Sequence, residues 1–386
     1  MKVSLTDICD FQGGTQPPKD EWIDQPAQGY VRMLQIRDFT QSDKNYIEYV
    51  KDTGKLKTCI EDDILIGRYG ASIGKILTGL AGAYNVAIVK TIPDEKVVSK
   101  KYLYWYLNSQ YFQRFISNVG SRAAQAGFNK NDLGAAQIPL VDKERQEEIC
   151  EVLEKANKLI SLRKQQLAKL DELVKARFVE MFGNPIENTM NWPKKLLRDI
   201  TTKIGSGATP KGGRESYPNA GVSLIRSMNV YDGQFLYKDL AHLTDEQATQ
   251  LNGVTVEAED VLVNITGASV ARSCVAPKDV LPARVNQHVA IVRCNRKLLN
   301  PIFTNKMFTN NEFKKALLSI GESGGATRQA ITKKQLEELS VVVPPLSIQN
   351  EFFTFSECVD QQKQTVQQSL EKLELMKKAL MQEYFG

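Results

Sequence analysis

RQEEICEVLEKANKLISLRKQQLAKLDELVKARFVEMFG, residues 145–183, contains no proline and holds its only glycine at the last position. IQNEFFTFSECVDQQKQTVQQSLEKLELMKKALMQEYFG, residues 348–386, has the same character and the same ending. Each spells one long helix stopped by glycine. In the first, Ile149, Val152, Leu153, Leu159, Ile160, Leu167, Leu170, Leu173 and Val174 make a broad apolar stripe. In the second, Phe352, Phe355, Val359, Val366, Leu373, Met376 and Leu380 recur at 3–4 spacing, interrupted by Gln362 and Ser369. About 38 residues rising 1.5 Å each would run roughly 57 Å, farther than a small domain is wide. The stripes are therefore expected to bury against each other as a coiled coil.

The shared ending marks an internal duplication. Carrying the offset 386 − 183 = 203 backwards pairs Leu170 with Leu373, Ala176 with Ala379, Gln146 with Gln349, Leu133 with Leu336, and Val86–Val89 with Val289–Val292. Towards the N-terminus the offset drifts. Asp63-Ile64-Leu65-Ile66 matches Asp260-Val261-Leu262-Val263, Gly70-Ala71-Ser72 matches Gly267-Ala268-Ser269, and Asp7-Ile8 matches Asp199-Ile200. Gly13-Gly14-Thr15-Gln16-Pro17 lies where Ser206-Gly207-Ala208-Thr209-Pro210 lies. Ahead of Pro139, and of Pro344-Pro345, short β-branched runs alternate with Gly, Asn and Asp and read as strands and turns. Lys100–Ser117 and Asn300–Ser319 read as helices, so each copy is a mixed α/β unit followed by a long helix.

Composition is that of an ordinary globular protein, 42% hydrophobic and 25% charged over 386 residues, enough for two or three cores. No apolar run approaches membrane-spanning length and Met1–Asp7 lacks a basic-then-apolar leader pattern, which predicts a cytoplasmic chain. Six scattered cysteines without a C-x-x-C pair, and only His242 and His288 beside them, argue against zinc. Cys150 and Cys358 fall in the helical patterns and are expected as small buried apolar groups. The net charge of +5 is modest but unevenly spread. Arg68–Lys130 carries nine Lys/Arg against Asp94 and Glu95, and Asn264–Lys334 twelve against Asp279, Glu312 and Glu322. One basic segment per copy suits one DNA-facing surface per copy, with a lysine-rich solvated face as the competing reading.

Several elements together resemble the specificity subunits of type I restriction–modification systems. They are the Gly-rich turn ending in Thr209-Pro210, the run Val261-Leu262-Val263-Asn264-Ile265-Thr266-Gly267-Ala268, the run Asn286-Gln287-His288-Val289-Ala290, and Ile138-Pro139-Leu140 with Arg145-Gln146 opening a long helix. Met181-Phe182-Gly183-Asn184-Pro185, followed by Trp192 and Leu197, is similar to the junction between copies in that family. The first copy departs from the pattern. Ala83-Tyr84-Asn85 stands where the second has Asn286-Gln287-His288, and Gly67-Arg68-Tyr69 where it has Asn264-Ile265-Thr266.

The resemblance implies an α+β fold of two mixed α/β target-recognition domains related by pseudo-two-fold symmetry and separated by two long helices pairing as an antiparallel coiled coil. Residues 1–144 would form the first recognition domain, 145–183 the central spacer helix, 184–347 the second domain with a linker at 184–194, and 348–386 the C-terminal spacer helix. It also implies a non-catalytic adaptor on double-stranded DNA. Its partners would be two modification (methyltransferase) subunits and restriction (translocase/nuclease) subunits, with no membrane. No cofactor or metal is expected on this chain, S-adenosylmethionine, ATP and Mg belonging to the partners. Each domain would read half of a bipartite target, and the helices would set the spacer.

Base reading needs side chains that match base edges in the major groove, Arg on guanine and Asn or Gln on adenine. The candidates between strands in the basic segments are Arg68, Tyr69, Lys75, Asn85 and Arg122 in the first copy, and Arg272, Arg284, Asn286, Gln287, His288 and Arg328 in the second. Arg37 and Asp38, and Arg226 and Asn229, follow strand-like runs at matching places and join them. For each, a phosphate contact or a surface salt bridge competes with base readout, since most protein–DNA hydrogen bonds go to the backbone. A structural role competes for His288, and strand-turn capping for Asn286 and Gln287.

Readings from other classes are a stand-alone adenine methyltransferase or nuclease with its own recognition domains, and a scaffold that binds no DNA. Neither a glycine-rich cofactor loop nor an Asn/Asp-Pro-Pro-aromatic motif is present; Pro344-Pro345 leads into a helix. Gly205–Pro210 lacks the phosphate-loop order, and Pro93-Asp94-Glu95-Lys96 is too compact for a nuclease centre and reads as a turn.

Overall fold

The computed structural model describes residues 1–41, 47–122, 127–210, 217–322 and 329–386, the side chains of 120–122 excepted. The chain forms two compact units, Met1–Gln165 with Gln367–Gly386, and Gln166–Val366. Both long helices are continuous, Lys143–Phe182 and Leu346–Phe385. The unit boundary falls inside each helix, so each unit takes one stretch of both and is not confined to 1–144 or 184–347. Asp142 starts the first by accepting the Arg145 N–H at 2.8 Å. Gly183 ends it in the left-handed region, at φ 71°.

The two units repeat one topology. In the first, an antiparallel sheet runs in the order Cys9–Gly13, Ile88–Pro93, Leu65–Gly67, Ile76–Leu77. In the second the order is Thr201–Ser206, Val289–Cys294, Val261–Asn264, Ser273–Val275. A further sheet in each contains one parallel pair, Tyr30–Leu34 with Gly82–Tyr84 and Val222–Ile225 with Ala283–Val285. Strands Lys2–Ser4 and Gln137–Pro139 pair in the first unit as Lys194–Leu196 and Ser340–Val342 do in the second.

Strand register corrects the duplication at one place. Ile66 lies opposite Val89 and Val263 opposite Ala290. Because Ile66 and Val263 are equivalent, Val89 matches Ala290, an offset of 290 − 89 = 201. The pairing of Val86–Val89 with Val289–Val292 is thus two residues out. Side chains alternate with period two, so a two-residue slip leaves every residue on its own face and the hydrophobic pattern cannot expose it. Asn85-Val86-Ala87, and not Ala83-Tyr84-Asn85, is the counterpart of Asn286-Gln287-His288.

Each helical stretch expected in the globular parts is two helices, Lys100–Leu107 with Gln110–Arg122 and Pro301–Thr309 with Asn311–Glu322. The breaks are caps. Ser109 Oγ accepts from Phe112 N, and Asn310 Oδ1 from the Glu312 and Phe313 N–H groups.

A fully buried glutamine near the start of each long helix ties it to its own unit. Gln146 Oε1 accepts the Ser99 N–H, and its Nε2 donates to the Val97 and Val141 carbonyls, each at 2.9 Å. Gln349 repeats this with the Asn300 N–H and the Leu298 and Pro344 carbonyls, at 2.9, 3.1 and 2.7 Å. Ser99 and Asn300 cap the helices that follow them, so one side chain joins three segments.

Within each unit the two long helices run antiparallel. In the first, Lys164 meets Glu374 at 2.9 Å and Lys377 donates to Asn157 at 2.7 Å. In the second, Arg177 meets Glu351 at 3.1 Å, Lys363 meets Asp171 at 2.6 Å, and Phe178 and Phe182 pack on Phe352. The buried seam differs from the expected stripe. Val152, Leu159, Leu173 and Met376 are exposed and Leu370 is buried. The seam on the second helix steps Phe352, Ser356, Val359, Lys363, Val366, Leu370 and so passes through polar residues, including Ser356 at 1% exposure. Cys358 lies beside that seam and is exposed, unlike Cys150. Burial pushes the Cys9 and Cys274 thiols up to about 12 and those of Cys150 and Cys294 to about 11.

Replacing Gln349 with methionine keeps the volume but orphans three backbone groups, that of Pro344 fully buried. Urea unfolding is expected to show a loss of roughly 3 kcal/mol, and a loss below about 1 kcal/mol would refute the assignment of Gln349 as a tie.

Candidate nucleic-acid interface

At one end of the main sheet in each unit, turns from distant parts of the sequence converge. Arg68 N donates to Ala87 O, Thr15 N to Tyr84 O, and Asn85 N to Leu34 O, at 2.8, 3.0 and 3.2 Å. Tyr69 bridges to Gly127. In the second unit Ile265 N donates to His288 O, Gly207 N to Asn286 O and Asn286 N to Ile225 O, at 3.0, 3.2 and 3.1 Å, and Thr266 bridges to Ala330. The approach requires glycine. A Cβ on Gly14 would sit 2.1 Å from the Asn85 carbonyl oxygen, and one on Gly207 1.8 Å from that of Val285.

The asparagines at the centre of both clusters hold their own turns. Asn85 Oδ1 accepts the Ala87 N–H at 3.2 Å and Asn286 Oδ1 the His288 N–H at 3.0 Å. Asn286 is 5% exposed, so its side chain is used in shaping the turn. Asp38 and Asn229 occupy equivalent capping positions, accepting the Gln35 N–H at 2.7 Å and the Arg226 N–H at 3.0 Å. Asn229 is wholly buried and also donates to the Leu236 carbonyl. Arg284 is buried as well, its guanidinium bonded to the Ala248 and Ala283 carbonyls and to Asn252 Oδ1, and burial lowers its pKa. These residues support the turns from inside. Capping was the competing reading for Asn286, whose partner is two residues away, but linear sequence gave no sign of the role of Arg284, which bonds a carbonyl 36 residues away.

The remaining candidates divide by whether their charge is already matched. Arg37 is paired with Glu48, and Arg226 donates to the Asp239 carbonyl. Arg68 donates through Nε to the Phe128 carbonyl at 2.8 Å and lies over the Tyr69 ring. His288 Nδ1 is 2.5 Å from Thr266 Oγ1. Lys75 is exposed and Arg272 lies 4.3 Å over the Tyr231 ring; neither has an ion pair among the described residues. The two are structural equivalents, each following a left-handed residue, Gly74 at φ 76° and Ala271 at φ 65°. Tyr69 and Gln287 are exposed. Arg122 ends its helix with its side chain outside the described residues, where Arg328 also lies.

One cation of the cluster escaped the sequence reading. Lys57 precedes the first basic segment, yet its carbonyl accepts the Tyr84 N–H at 3.1 Å and its own N–H lies 3.5 Å from Thr15 Oγ1. It is exposed and without an ion pair among the described residues. Only the pairing of Thr58–Cys59 with Gly82–Tyr84 brings it there.

The family model for the type I restriction modification DNA specificity domain matches this chain twice, over residues 1–172 and 190–375. The chain belongs to that family. Among relatives, the type I restriction enzyme MjaVIII specificity subunit of Methanocaldococcus jannaschii is 20% identical, spanning 98% of this chain and 90% of its own length. The MjaX specificity subunit of the same organism is 22% identical over 87% and 80%. Two solved structures share the fold across 100% of this chain. One comes from a study of complex assembly and conformational transition of the type I R-M system, with a TM-score of 0.63, 16% identity and 97% of its chain covered. The other is the type I restriction–modification S subunit from M. genitalium, with a TM-score of 0.58, 14% identity and 96% covered. Both turn clusters lie within the two matched segments.

Gly207→Ala drives a methyl into a backbone carbonyl, whereas Gly205→Ala meets nothing within 4 Å. The first is expected to lower stability by about 1–3 kcal/mol in urea titration and the second to leave it nearly unchanged. Equal effects would show that the close approach does not constrain the turn.

Proposed function

We propose that this chain is the sequence-reading adaptor of a type I restriction–modification complex, each unit reading one half of a bipartite, asymmetric DNA target and the chain itself performing no catalysis. The observation that carries this reading is the recurrence, at the same strand-end turns of both units, of exposed polar or aromatic side chains together with the cations Lys75 and Arg272, which have no ion pair among the described residues. Cations elsewhere on the sheets are neutralised by carboxylates, as Arg293 is by Asp260 and Lys90 by Asp63. A cation left without a carboxylate suits a phosphate, and loops on a rigid sheet suit base edges.

Partners, cofactors and compartment follow as parts of the same proposal. Modification subunits would dock on the helical pairs and bring restriction subunits with them. S-adenosylmethionine, ATP and Mg would be held by those partners, and the complex would act in the cytoplasm. Exposed apolar residues on the helices support docking there. In the first unit Val152, Leu159 and Leu162 are 39–48% exposed on one helix and Leu375 is 66% exposed on the other. Among the described residues, no helix is long and apolar enough to cross a membrane.

Two experiments test the reading. In the assembled complex, Lys75→Ala and Arg272→Ala are each expected to weaken binding to all duplexes and to reduce the slope of log K against log salt by about 0.9, one phosphate contact apiece. An unchanged slope would place both cations away from DNA. Methylome sequencing of a host expressing the complex is expected to show a split adenine-methylation motif. Inserting four residues, about one helical turn, between Gln165 and Lys175 is expected to lengthen its unspecified spacer, and an unchanged spacer would remove the helices from the role of ruler.

A further inference from the structure

We propose that the middle residue of the asparagine turn, Val86 in the first unit and Gln287 in the second, is a base-reading residue that takes the major-groove edge of an A·T pair. Val86 packs on the thymine methyl, and Gln287 bonds adenine N6 and N7. This rests on the preceding reading of the turns as the DNA-facing surface, and it singles out one position among them.

The two units build the turn in the same way. The asparagine N–H is held by Leu34 O or Ile225 O, its side-chain oxygen by the N–H two residues on, and its carbonyl by the N–H of Ile88 or Val289, at 3.0 and 3.3 Å. These bonds fix the residues on either side and turn the middle one outward. Val86 is 40% exposed and Gln287 is exposed.

Several neighbours within the paired turns have another role. Gly70-Ala71-Ser72 and Gly267-Ala268-Ser269 are identical in both units and so give the two halves no difference in reading. Lys75 and Arg272 carry the same charge at the same place, which suits phosphate. His288 is tied to Thr266 and Arg68 to Phe128. A single exposed valine is unremarkable by itself. Its weight comes from standing where the other unit has Gln287, on a shared frame, with chemistry that addresses the same base pair differently.

The test uses the assembled complex and duplexes bearing its target. Each thymine is replaced in turn by uracil, which lacks only the methyl, and each adenine by 7-deazaadenine, which lacks only the N7 acceptor. One uracil position in the half read by the first unit is expected to weaken binding about fourfold. One 7-deazaadenine position in the other half is expected to weaken it about tenfold. Val86→Ala should abolish the first penalty and Gln287→Ala the second, each leaving the other half-site discriminated as a control for folding. Penalties that persist in the variants would overturn the proposal, as would a variant that loses discrimination in both halves together. A wild-type complex without sequence-selective binding would instead sink the underlying functional reading.

Discussion

A buried side-chain amide at the start of each long helix must satisfy three backbone groups at once, and the rest of each unit is arranged around that demand. Gln146 and Gln349 join a strand end, the cap of a core helix and the first turn of a 40-residue helix through one donor pair and one acceptor. Each bond exchanges water for protein and is worth little net, but removing the amide leaves every partner unsatisfied in a dry interior. Rigidity follows from that asymmetry.

The turn clusters apply the same logic at the other end of the sheet. Asn85 and Asn286 use their side chains on their own backbones, and Asp38, Asn229 and Arg284 use theirs beneath neighbouring loops. Groups that could hydrogen-bond a base therefore serve instead to present a few exposed residues in a fixed frame. On the reading proposed above, exchanging Val86 for Gln287 on a constant frame would let one fold address different sequences. Some positive charge is matched in place, Arg37 by Glu48, Lys90 by Asp63 and Arg293 by Asp260.

The duplication, the long helices and the mixed α/β character of each half were legible because all three are periodic or repeated, and such signals need no knowledge of neighbours. The candidate site was legible only in part. Gly14 and Gly207 were found as elements of a repeat, and Lys75 and Arg272 as separate candidates in the two basic segments, whereas Lys57 could be placed only through strand pairing and Arg284 recognised as internal only through its buried partners. Register failed at Val86–Val89 because an even slip preserves the alternation on which sequence reasoning relies. On the long helices, Ser356 and Lys363 concealed the true seam while Leu159 and Leu173 imitated it.

By itself the sequence determined that there are two copies of one unit, where each helix ends, and which segments carry positive charge. Tertiary structure decided which asparagine answers to which, which polar side chains are used up inside, and which apolar residues on the helices remain uncovered. The division has a physical cause. Backbone periodicity and glycine stops are local properties of the chain, whereas the fate of a hydrogen-bonding or charged group depends on a partner that only folding brings within 3 Å.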